Sequence, residues 1–333
     1  MARGFRHRDG AQEIVFGRGA LAQAAALIAA PFTLLTTARA AALAPALASD
    51  AAAVVHVPGG RVEDAAAAVL ARVDGPRIVA LGGGRVIDVA KAVCAARRLP
   101  GPVAIPTTLS GAEMTRFHRH ARGVPDTTPR VRAAVVVNDP ALSASQPEPA
   151  LAASSANALG HAATALASAR STPIARAVAA DAVARMARAW ATDAPDRDGL
   201  ALAALLAGWA VDRSGLGPHH ALSQTAVRVA GVGHAQANAA LLPFTVRALR
   251  RRAPDALVRL EGELPVPPAA LADALRDRAG VDGLGPLAGD PALLERAVAV
   301  AVGRAELDRV PPPLTADEVR AIYRGAAGVG AAG

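Results

Sequence analysis

In the first 150 residues, short runs of consecutive apolar residues alternate with longer segments whose apolar positions recur every three or four residues. The short runs predict buried strands, and the longer segments predict helices. The predicted strands are EIVFG, FTLLTT, AAVVHVP, RIVALGGG, PVAIPTT and RAAVVVND. The predicted helices are GALAQAAALIAA, AAALAPALA (broken by its proline), VEDAAAAVLARV and VIDVAKAVCAARR. Strands and helices in strict turn predict an α/β layer with a mostly parallel sheet.

From about residue 151 the pattern is helical throughout, and Gly and Pro clusters separate the helical segments. The stretch SASQPEP at 143–149 marks the change. We therefore predict an α/β domain over residues 1–148, followed by an all-α domain over residues 149–333.

Composition and charge exclude several classes of protein. The net charge is +8, but acidic residues are interleaved with the arginines, and aromatic residues for stacking on nucleic acid make up only 2%. The single cysteine, Cys94, excludes an internal disulfide and a thiolate zinc cluster, and its apolar surroundings predict a buried structural thiol. Neither a signal peptide nor a transmembrane segment is evident. We expect a soluble, cytoplasmic protein with no nucleic-acid or membrane partner.

The stretch ALGGGRVIDVAKAVCAA contains the first candidate site. A predicted strand runs into Gly82, Gly83 and Gly84, and the helix that follows carries Asp88 and Lys91, the only lysine of the chain. Glycines allow a tight turn and close approach of a ligand, and the N-terminus of the helix favours phosphate. The alternative is a plain turn followed by a surface ion pair.

A second glycine pattern, FGRGALA at 16–22, matches a dinucleotide-binding fingerprint. No acidic residue follows about twenty positions later, where the partner of the ribose is expected. We therefore interpret it as a tight turn.

The stretch IPTTLSGAEMT follows the next predicted strand. It places the hydroxyl groups of Thr107, Thr108, Ser110 and Thr115 at the carboxyl end of that strand, where open α/β sheets bind ligands. The alternative is a hydroxyl-rich helix cap.

Four of the eight histidines lie in two helical segments of the second half. Asn157 and His161 are four residues apart and share a helix face, and GPHHALSQTAVRVAGVGHAQA contributes His219, His220 and His234. Such a cluster indicates acid–base or metal chemistry.

Taken together, these segments resemble the iron-containing alcohol dehydrogenase superfamily, which includes dehydroquinate synthase, and within it the maleylacetate reductase branch. PTTLSGAEMT, NALGHA, HHALSQ and PPPLTADEVRAIY carry the resemblance to that branch. The resemblance implies a dehydroquinate synthase-like fold whose first domain binds NADH or NADPH. Gly82, Gly83 and Gly84 would hold the pyrophosphate, Asp88 and Lys91 would support that loop, and Thr107, Thr108 and Ser110 would lie along the cofactor.

The resemblance also bears on a metal. Metal-dependent members use an Asp, a His four residues later, and two further His fourteen residues apart. His161, His220 and His234 occupy the histidine positions, but Asn157 replaces the acid. A neutral amide binds a hard cation more weakly than a carboxylate, and the maleylacetate reductase branch is described as metal-free. We therefore expect no tightly bound metal. Members usually have a histidine where this chain has Gln224, which cannot transfer a proton at neutral pH.

The resemblance also bears on the choice between NADH and NADPH, which depends on the residue that follows the second strand and contacts the ribose of the cofactor. NAD-preferring relatives have an acid there, whereas this chain has Ala38 followed by Arg39. The loss of an acid and the nearby cation predict that NADPH is accepted.

The implied reaction is hydride transfer to the activated double bond of an unsaturated keto diacid in aromatic-compound degradation. A cleft between the domains would place the nicotinamide beside the histidine cluster, and one imidazole would protonate the enolate. Arg116, His118, Arg119 and His120 would contact the carboxylates of the substrate, and Gln224 is a further candidate. Three alternatives stay open: a metal-dependent alcohol dehydrogenase, a reductase of a specialised pathway, and a non-catalytic nucleotide-binding relative. Family resemblance favours a homodimer.

Overall fold

The structure, a computed structural model, describes residues 4–28 and 31–328 and divides into two compact units. The first unit comprises Met1–Gln146 with Arg197–Leu205, and the second comprises Pro147–Asp196 with Leu206–Gly333. The sequence pattern predicts domains over 1–148 and 149–333, so the two divisions differ at residues 147–148 and 197–205. Hydrogen bonds join the start of residues 197–205 to the end of the first unit's main segment. The guanidinium of Arg197 donates to the carbonyl oxygens of Ala144 and Gln146 at 2.9 and 2.6 Å.

The first unit contains a seven-stranded sheet, and all its neighbouring strands are parallel except the first pair. The order across the sheet is β1-β2-β7-β6-β5-β3-β4. The strands are β1 Phe5–Asp9, β2 Gln12–Phe16, β3 Thr33–Thr36, β4 Ala53–His56, β5 Ile78–Gly82, β6 Val103–Pro106 and β7 Val135–Asn138. The predicted mostly parallel α/β domain is confirmed, as is the helical second half.

Strand β1 is an element that the hydrophobic pattern missed. Four of its five residues, Phe5–Arg8, are exposed, because β1 is an edge strand that pairs with β2 alone. A strand with so little buried surface has no apolar alternation by which it could be recognised.

Short and medium helices connect the strands of the first unit. They are α1 Ala20–Gln23, α2 Ala25–Ile28, α3 Ala38–Ala41, α4 Pro45–Asp50, α5 Val62–Leu70, α6 Gly84–Ala96 and α7 Pro140–Ser143. The helix predicted over 19–30 is interrupted at Ala24, and its last two residues lie outside the described residues. Helix α6 packs against β5 and β6 with its buried Cys94, whose thiol pKa burial raises to about 12. The predicted structural thiol is confirmed.

The longer helices lie in the second half of the chain. They are α8 Glu148–Ala167, α9 Pro173–Ala189, α10 Arg197–Ser214, α11 Pro218–Ala230, α12 His234–Arg252, α13 Pro254–Glu261, α14 Pro268–Arg278, α15 Gly285–Gly289, α16 Pro291–Val302 and α17 Ala316–Ala327, with a 3₁₀ helix at Ala305–Arg309. Helix α12 packs against both α8 and α11. Within the described ranges, no helix combines the length and apolar character that crossing a bilayer requires.

Candidate functional site

The glycine bend after β5 is formed by close packing against the segment that follows β6. Strand β5 ends at Gly82, and α6 begins at Gly84. A Cβ atom at Gly84 would lie 2.9 Å from the Cβ of Ser110, and one at Gly83 would lie 3.1 Å from the Cγ2 of Thr108. Glycine is therefore required at 84, and α6 begins directly at the bend with the positive end of its dipole.

A cavity of about 310 Å³ opens at this bend. Its lining residues are Thr37, Arg39, Ala40, Leu43, Gly83, Gly84, Arg85, Val86, Thr107 and Thr108. Five of the residues predicted to bind a cofactor are in this set: Arg39, Gly83, Gly84, Thr107 and Thr108. The other four, Gly82, Asp88, Lys91 and Ser110, are not among the lining residues. Gly82 and Ser110 instead shape the bend, because a Cβ at Gly82 would lie 2.7 Å from the Cγ2 of Val86.

The charge of the cavity suits an anion. Its lining contains two exposed arginines, Arg39 and Arg85, and no acidic residue. The Nη2 of Arg39 lies 3.3 Å from the Oγ of Ser145, which holds the side chain at the edge of the cavity. The sequence interpretation missed Arg85, although its place directly after the glycine triplet, in the first turn of α6, was a sufficient signal.

Lys91 is fully buried and does not reach the cavity. Its Nζ donates to the carbonyl oxygens of Ala112, Thr115 and Phe117 at 2.8, 3.0 and 3.0 Å, and it pairs with Asp88 at 2.7 Å. A compact ammonium with three donors fits this set of oxygens, whereas a planar guanidinium does not. Lys91 therefore holds the segment after β6 in place, and it supports the glycine bend only through that segment.

Glu113 lies within this segment as a fully buried carboxyl. Neither of its carboxyl oxygens has a hydrogen-bond partner among the described residues. Burial raises its pKa to about 7, which the nearby charge of Lys91 only partly offsets. The sequence interpretation did not single out this residue, since nothing in its spacing predicts burial.

His118 was predicted to contact the substrate, but both of its ring nitrogens bond the backbone of its own loop. Its Nε2 accepts from the backbone N–H of Val131 at 3.1 Å, so Nδ1 carries the proton and lies 3.1 Å from the carbonyl oxygen of Arg119. Burial lowers its pKa to about 4. Both ring nitrogens are used to fix the loop backbone, so neither is available to a carboxylate. Arg116 is exposed, and its predicted substrate contact stays a prediction.

Arg119 and His120 lie beside a different cavity of the first unit, of about 280 Å³. Glu63 and Asp126 also line it, so its charge is mixed. His120 is buried, and neither of its ring nitrogens has a partner among the described residues. The predicted carboxylate contacts of Arg119 and His120 are not tested by this arrangement.

The predicted histidine cluster forms within the second unit, where α8, α11 and α12 meet. Asn157 and His161 lie on α8, and His219 and His220 lie in the first turn of α11. The contact between α8 and α11 requires a glycine at position 160, because a Cβ atom there would lie only 2.3 Å from the Cδ2 of His219.

Three imidazole rings of the cluster are in direct contact. The rings of His161 and His220 stack with their centroids 4.3 Å apart and their planes 9° from parallel. The ring of His219 meets that of His220 edge-on, with the centroids 5.1 Å apart. The Nε2 of His220 lies 3.2 Å from the Oδ1 of Asn157, so this nitrogen carries the proton.

Asn238 joins two histidines of the cluster, and the sequence interpretation missed it. Its amide nitrogen lies 3.1 Å from the Nε2 of His234, and its amide oxygen lies 3.1 Å from the Nε2 of His219. The amide nitrogen donates and the oxygen accepts, so His219 carries its proton on Nε2. The Nδ1 of His219 then pairs with the hydroxyl of Thr245 at 2.8 Å. Asn238 is four residues after His234, a helical spacing that was a usable signal.

The three buried imidazoles are neutral at physiological pH. Burial lowers the pKa of His161 to about 3 and that of His219 to about 4, and it lowers the pKa of His220 well below its usual range. Neighbouring imidazoles contribute to each shift in the same direction. His234 is the exposed member of the cluster.

The cluster does not fit a divalent metal. Ligand lone pairs lie in the ring plane and must converge on one ion, but the nearly parallel rings of His161 and His220 direct theirs side by side. The chemistry of the set also disfavours a hard cation, since Asn157 supplies an amide where a carboxylate would bind more strongly. In the described part of the chain, no group of three or more His, Cys, Asp or Glu side chains is arranged to hold a metal ion.

Gln224 lies one turn after His220 on α11, and its partner is an arginine. Its Oε1 accepts from the Nη2 of Arg304 at 2.8 Å. Arg304 follows α16 and also pairs with Glu306. Because Arg304 is 80 residues away in the sequence, no local pattern could have predicted this contact.

The second glycine pattern is a turn, as predicted. The backbone N–H of Gly17 donates to the carbonyl oxygen of Asn138 at 3.1 Å, and α1 begins at Ala20 with only four residues. Arg18 pairs with Asp198 at 2.7 Å. The residues of this turn are not among those that line the two cavities described above.

Comparison with known proteins agrees with this arrangement. Residues 151–290 match the model of the C-terminal domain of the Fe-containing alcohol dehydrogenase family. The chain is 30% identical over 204 residues to maleylacetate reductase 1 of Rhodococcus opacus, and 32% identical over 216 residues to maleylacetate reductase of Sphingobium indicum. These regions cover 58% and 62% of this chain, and they span 57% and 61% of the two relatives.

The fold matches over almost the whole chain. The crystal structure of maleylacetate reductase from Rhizobium sp. strain MTP-10005 superposes with a TM-score of 0.81 at 25% identity, covering 98% of this chain and 99% of that one. The predicted resemblance is thus confirmed: residues 151–290 match the C-terminal domain of the Fe-containing alcohol dehydrogenase family, and maleylacetate reductases are among the proteins to which the chain is similar in sequence and fold.

Proposed function

We propose that the protein is an NAD(P)H-dependent oxidoreductase that reduces the activated double bond of an unsaturated keto acid without a metal. The observation that carries the proposal is the cavity at the glycine bend, which combines a helix N-terminus, hydroxyl groups and two arginines with no acidic residue. This set of groups suits the phosphates of a dinucleotide. The names of the maleylacetate reductases that the chain resembles supply the class of reaction.

Each group at the glycine bend has a distinct part in the proposed binding. Backbone N–H groups at the start of α6 receive the pyrophosphate, and the hydroxyl groups of Thr107 and Thr108 donate along the cofactor. Arg39 donates to a 2′-phosphate, so NADPH is accepted, and Arg85 in the first turn of α6 adds positive charge toward the pyrophosphate that both cofactors share. When bound, the reduced nicotinamide supplies a hydride.

The proton that completes the reduction comes from water through the exposed histidine of the cluster. His161, His219 and His220 hold no spare proton at neutral pH, because burial lowers the pKa of each. His234 is exposed and is joined through Asn238 to His219. We assign to His234 the transfer of a proton from water to the developing enolate. The buried imidazoles of His161, His219 and His220 then line the substrate site as neutral polar groups.

A metal-dependent alcohol dehydrogenase is the second candidate, because the family model that matches residues 151–290 is that of the Fe-containing enzymes. The test that separates the two is the oxidation of NADPH and NADH in the presence of maleylacetate, with and without a chelator, together with metal analysis of the purified protein. Turnover that survives chelation supports the proposal. Stoichiometric metal and loss of activity on chelation support the alternative.

Two other results of the same assay would change the assignment. Turnover of another unsaturated or imine-like acid, without turnover of maleylacetate, indicates a reductase of a specialised pathway. Dinucleotide binding without turnover of any carbonyl or enoate indicates a non-catalytic relative. Light scattering of the purified protein tests the homodimer that we also propose.

A further inference from the structure

We propose that Arg304 and Gln224 together bind a carboxylate group of the substrate. This inference rests on the proposed reduction of an acidic substrate and names the residues that select it. In it Arg304 supplies the charge and one donor, and Gln224 supplies the second donor and orients the guanidinium.

The position of Arg304 follows from its contact with α11. Gln224 lies four residues after His220, so both side chains project from one face of that helix. The 2.8 Å hydrogen bond from the Nη2 of Arg304 to the Oε1 of Gln224 brings the guanidinium to the same face. The positive charge of Arg304 also contributes to the low pKa of His220, which agrees with this closeness.

The two side chains leave complementary donors unused. Arg304 engages Glu306 through Nε and Nη2, and Gln224 accepts through Oε1. Among the described residues, neither the Nη1 of Arg304 nor the Nε2 of Gln224 has an acceptor. A guanidinium nitrogen and an amide nitrogen together supply one donor for each of the two oxygens of a carboxylate.

Partial burial makes this pair effective. The side chain of Arg304 is 15% exposed, so its charge is poorly screened by water but still accessible to a ligand. The hydrogen bonds of His219 and Asn238 in the adjacent histidine cluster involve imidazole, amide, hydroxyl and backbone groups. Glu306 remains on the other edge of the guanidinium and orients it.

This arrangement accounts for the glutamine at position 224, where family members usually have a histidine. A histidine at 224 would present a ring nitrogen to Arg304 but no second donor directed alongside Nη1, and its protonated form would be repelled by the guanidinium. The amide can accept from the arginine and donate to the ligand at the same time. The residue that departs from the family pattern is thus a specificity residue for an acid.

The test compares Arg304→Gln, Arg304→Lys and Gln224→Glu with the wild type in steady-state reduction of maleylacetate at saturating NADPH. Loss of a charged hydrogen bond predicts that Arg304→Gln raises the KM for maleylacetate about 10- to 100-fold, while kcat and the KM for NADPH change little. Arg304→Lys should recover part of the loss. Gln224→Glu keeps the size of the side chain but repels an anion, so it should raise the same KM.

Arg320→Gln is the matched control, because Arg320 also pairs with a carboxylate, that of Glu295 at 2.6 Å, but lies on α17. It should leave both KM values unchanged. An unchanged KM for maleylacetate in folded Arg304→Gln and Gln224→Glu overturns the inference. An equal rise in the KM for NADPH also overturns it, because it indicates a general structural role.

Binding of adipate, a stable dicarboxylate, separates failure of this inference from failure of the proposed function. If the wild type does not reduce maleylacetate, the proposed substrate is wrong, but adipate binding measured by saturation-transfer NMR still tests the site. Binding to the wild type that is lost in Arg304→Gln and absent for dimethyl adipate supports the carboxylate site. Failure of adipate to bind the wild type, or equal binding to Arg304→Gln, rejects it.

Discussion

Lys91 and Asp88 form an ion pair of 2.7 Å one helical turn apart, and the lysine side chain is completely buried while that of Asp88 is 27% exposed. The same ammonium donates to three backbone carbonyl oxygens of the segment after β6. The single lysine of this arginine-rich chain is therefore a structural cation beneath the glycine bend.

Replacement of Lys91 by methionine should destabilise the first unit severely. Removal of one partner leaves a carboxylate and three carbonyl oxygens without their donor, which costs about 3–5 kcal/mol. Lys91→Arg should not restore stability, because a planar guanidinium does not fit the fully buried site. Urea unfolding gives the free energies, and the exposed Arg72→Met serves as the control. Stability of Lys91→Met equal to that of the control would contradict the assigned role.

Glu113 should make the protein less stable as the pH rises from about 4.5 to about 7. Its pKa is raised in the folded state, so over this range the folded protein keeps a proton that the unfolded chain has lost, and stability falls with increasing pH. The contribution lost by pH 8 is about 3 kcal/mol at most. Glu113→Gln should therefore be more stable than the wild type at pH 8 and nearly equal to it at pH 4.5. Thermal unfolding at both values tests this, and equal differences at both would contradict it.

The buried histidines should make the protein less stable as the pH falls, whereas Glu113 makes it less stable as the pH rises. His161 and His219 have folded-state pKa values of about 3 and about 4, below the ordinary value of 6.5. Below pH 6.5 the unfolded chain therefore binds protons that the folded state excludes, so stability falls as the pH falls. Each such histidine contributes about 1.4 kcal/mol per pH unit.

Calorimetric unfolding in buffers of different ionisation enthalpy measures this proton uptake directly. At pH 5, His161→Phe should take up about one proton fewer than the wild type on unfolding. His56→Phe, which replaces an exposed histidine of β4, serves as the control for the substitution itself. Equal uptake by His161→Phe and the wild type would show that His161 titrates normally in the folded protein.

Substitution of Arg39 and of Arg85 should distinguish binding of the 2′-phosphate from binding of the pyrophosphate. If Arg39 contacts the 2′-phosphate, Arg39→Ala raises the KM for NADPH about tenfold or more and leaves that for NADH nearly unchanged. Arg85 lies in the first turn of α6 at the bend, so Arg85→Ala should weaken both cofactors. Fluorescence titration of each cofactor gives the dissociation constants without turnover. Strict use of NADH by the wild type would refute the assignment of Arg39.

Hydrophobic periodicity was sufficient to predict the buried strands and the helices of the fold. It was not sufficient to predict the edge strand of the sheet or the break in the first helix. The apolar runs of β3, β5, β6 and β7 identified buried strands because such strands are buried on both faces. Strand β1 was missed because it buries almost nothing, and the break at Ala24 was missed because alanine carries no turn signal. The candidate cofactor and histidine residues were located by spacing along single elements, which helical geometry converts directly into shared faces.

The sequence by itself determined the alternation of elements, the glycine bend and the helix faces that carry His161, His220 and Asn157, because each depends on residues a few positions apart. Only the tertiary structure decided what those groups meet. It placed Lys91 among carbonyl oxygens, committed both nitrogens of His118 to the backbone, and paired Gln224 with Arg304. The physical reason is that local geometry fixes neighbours within a turn, whereas burial, pKa and long-range partners are set by how whole elements pack.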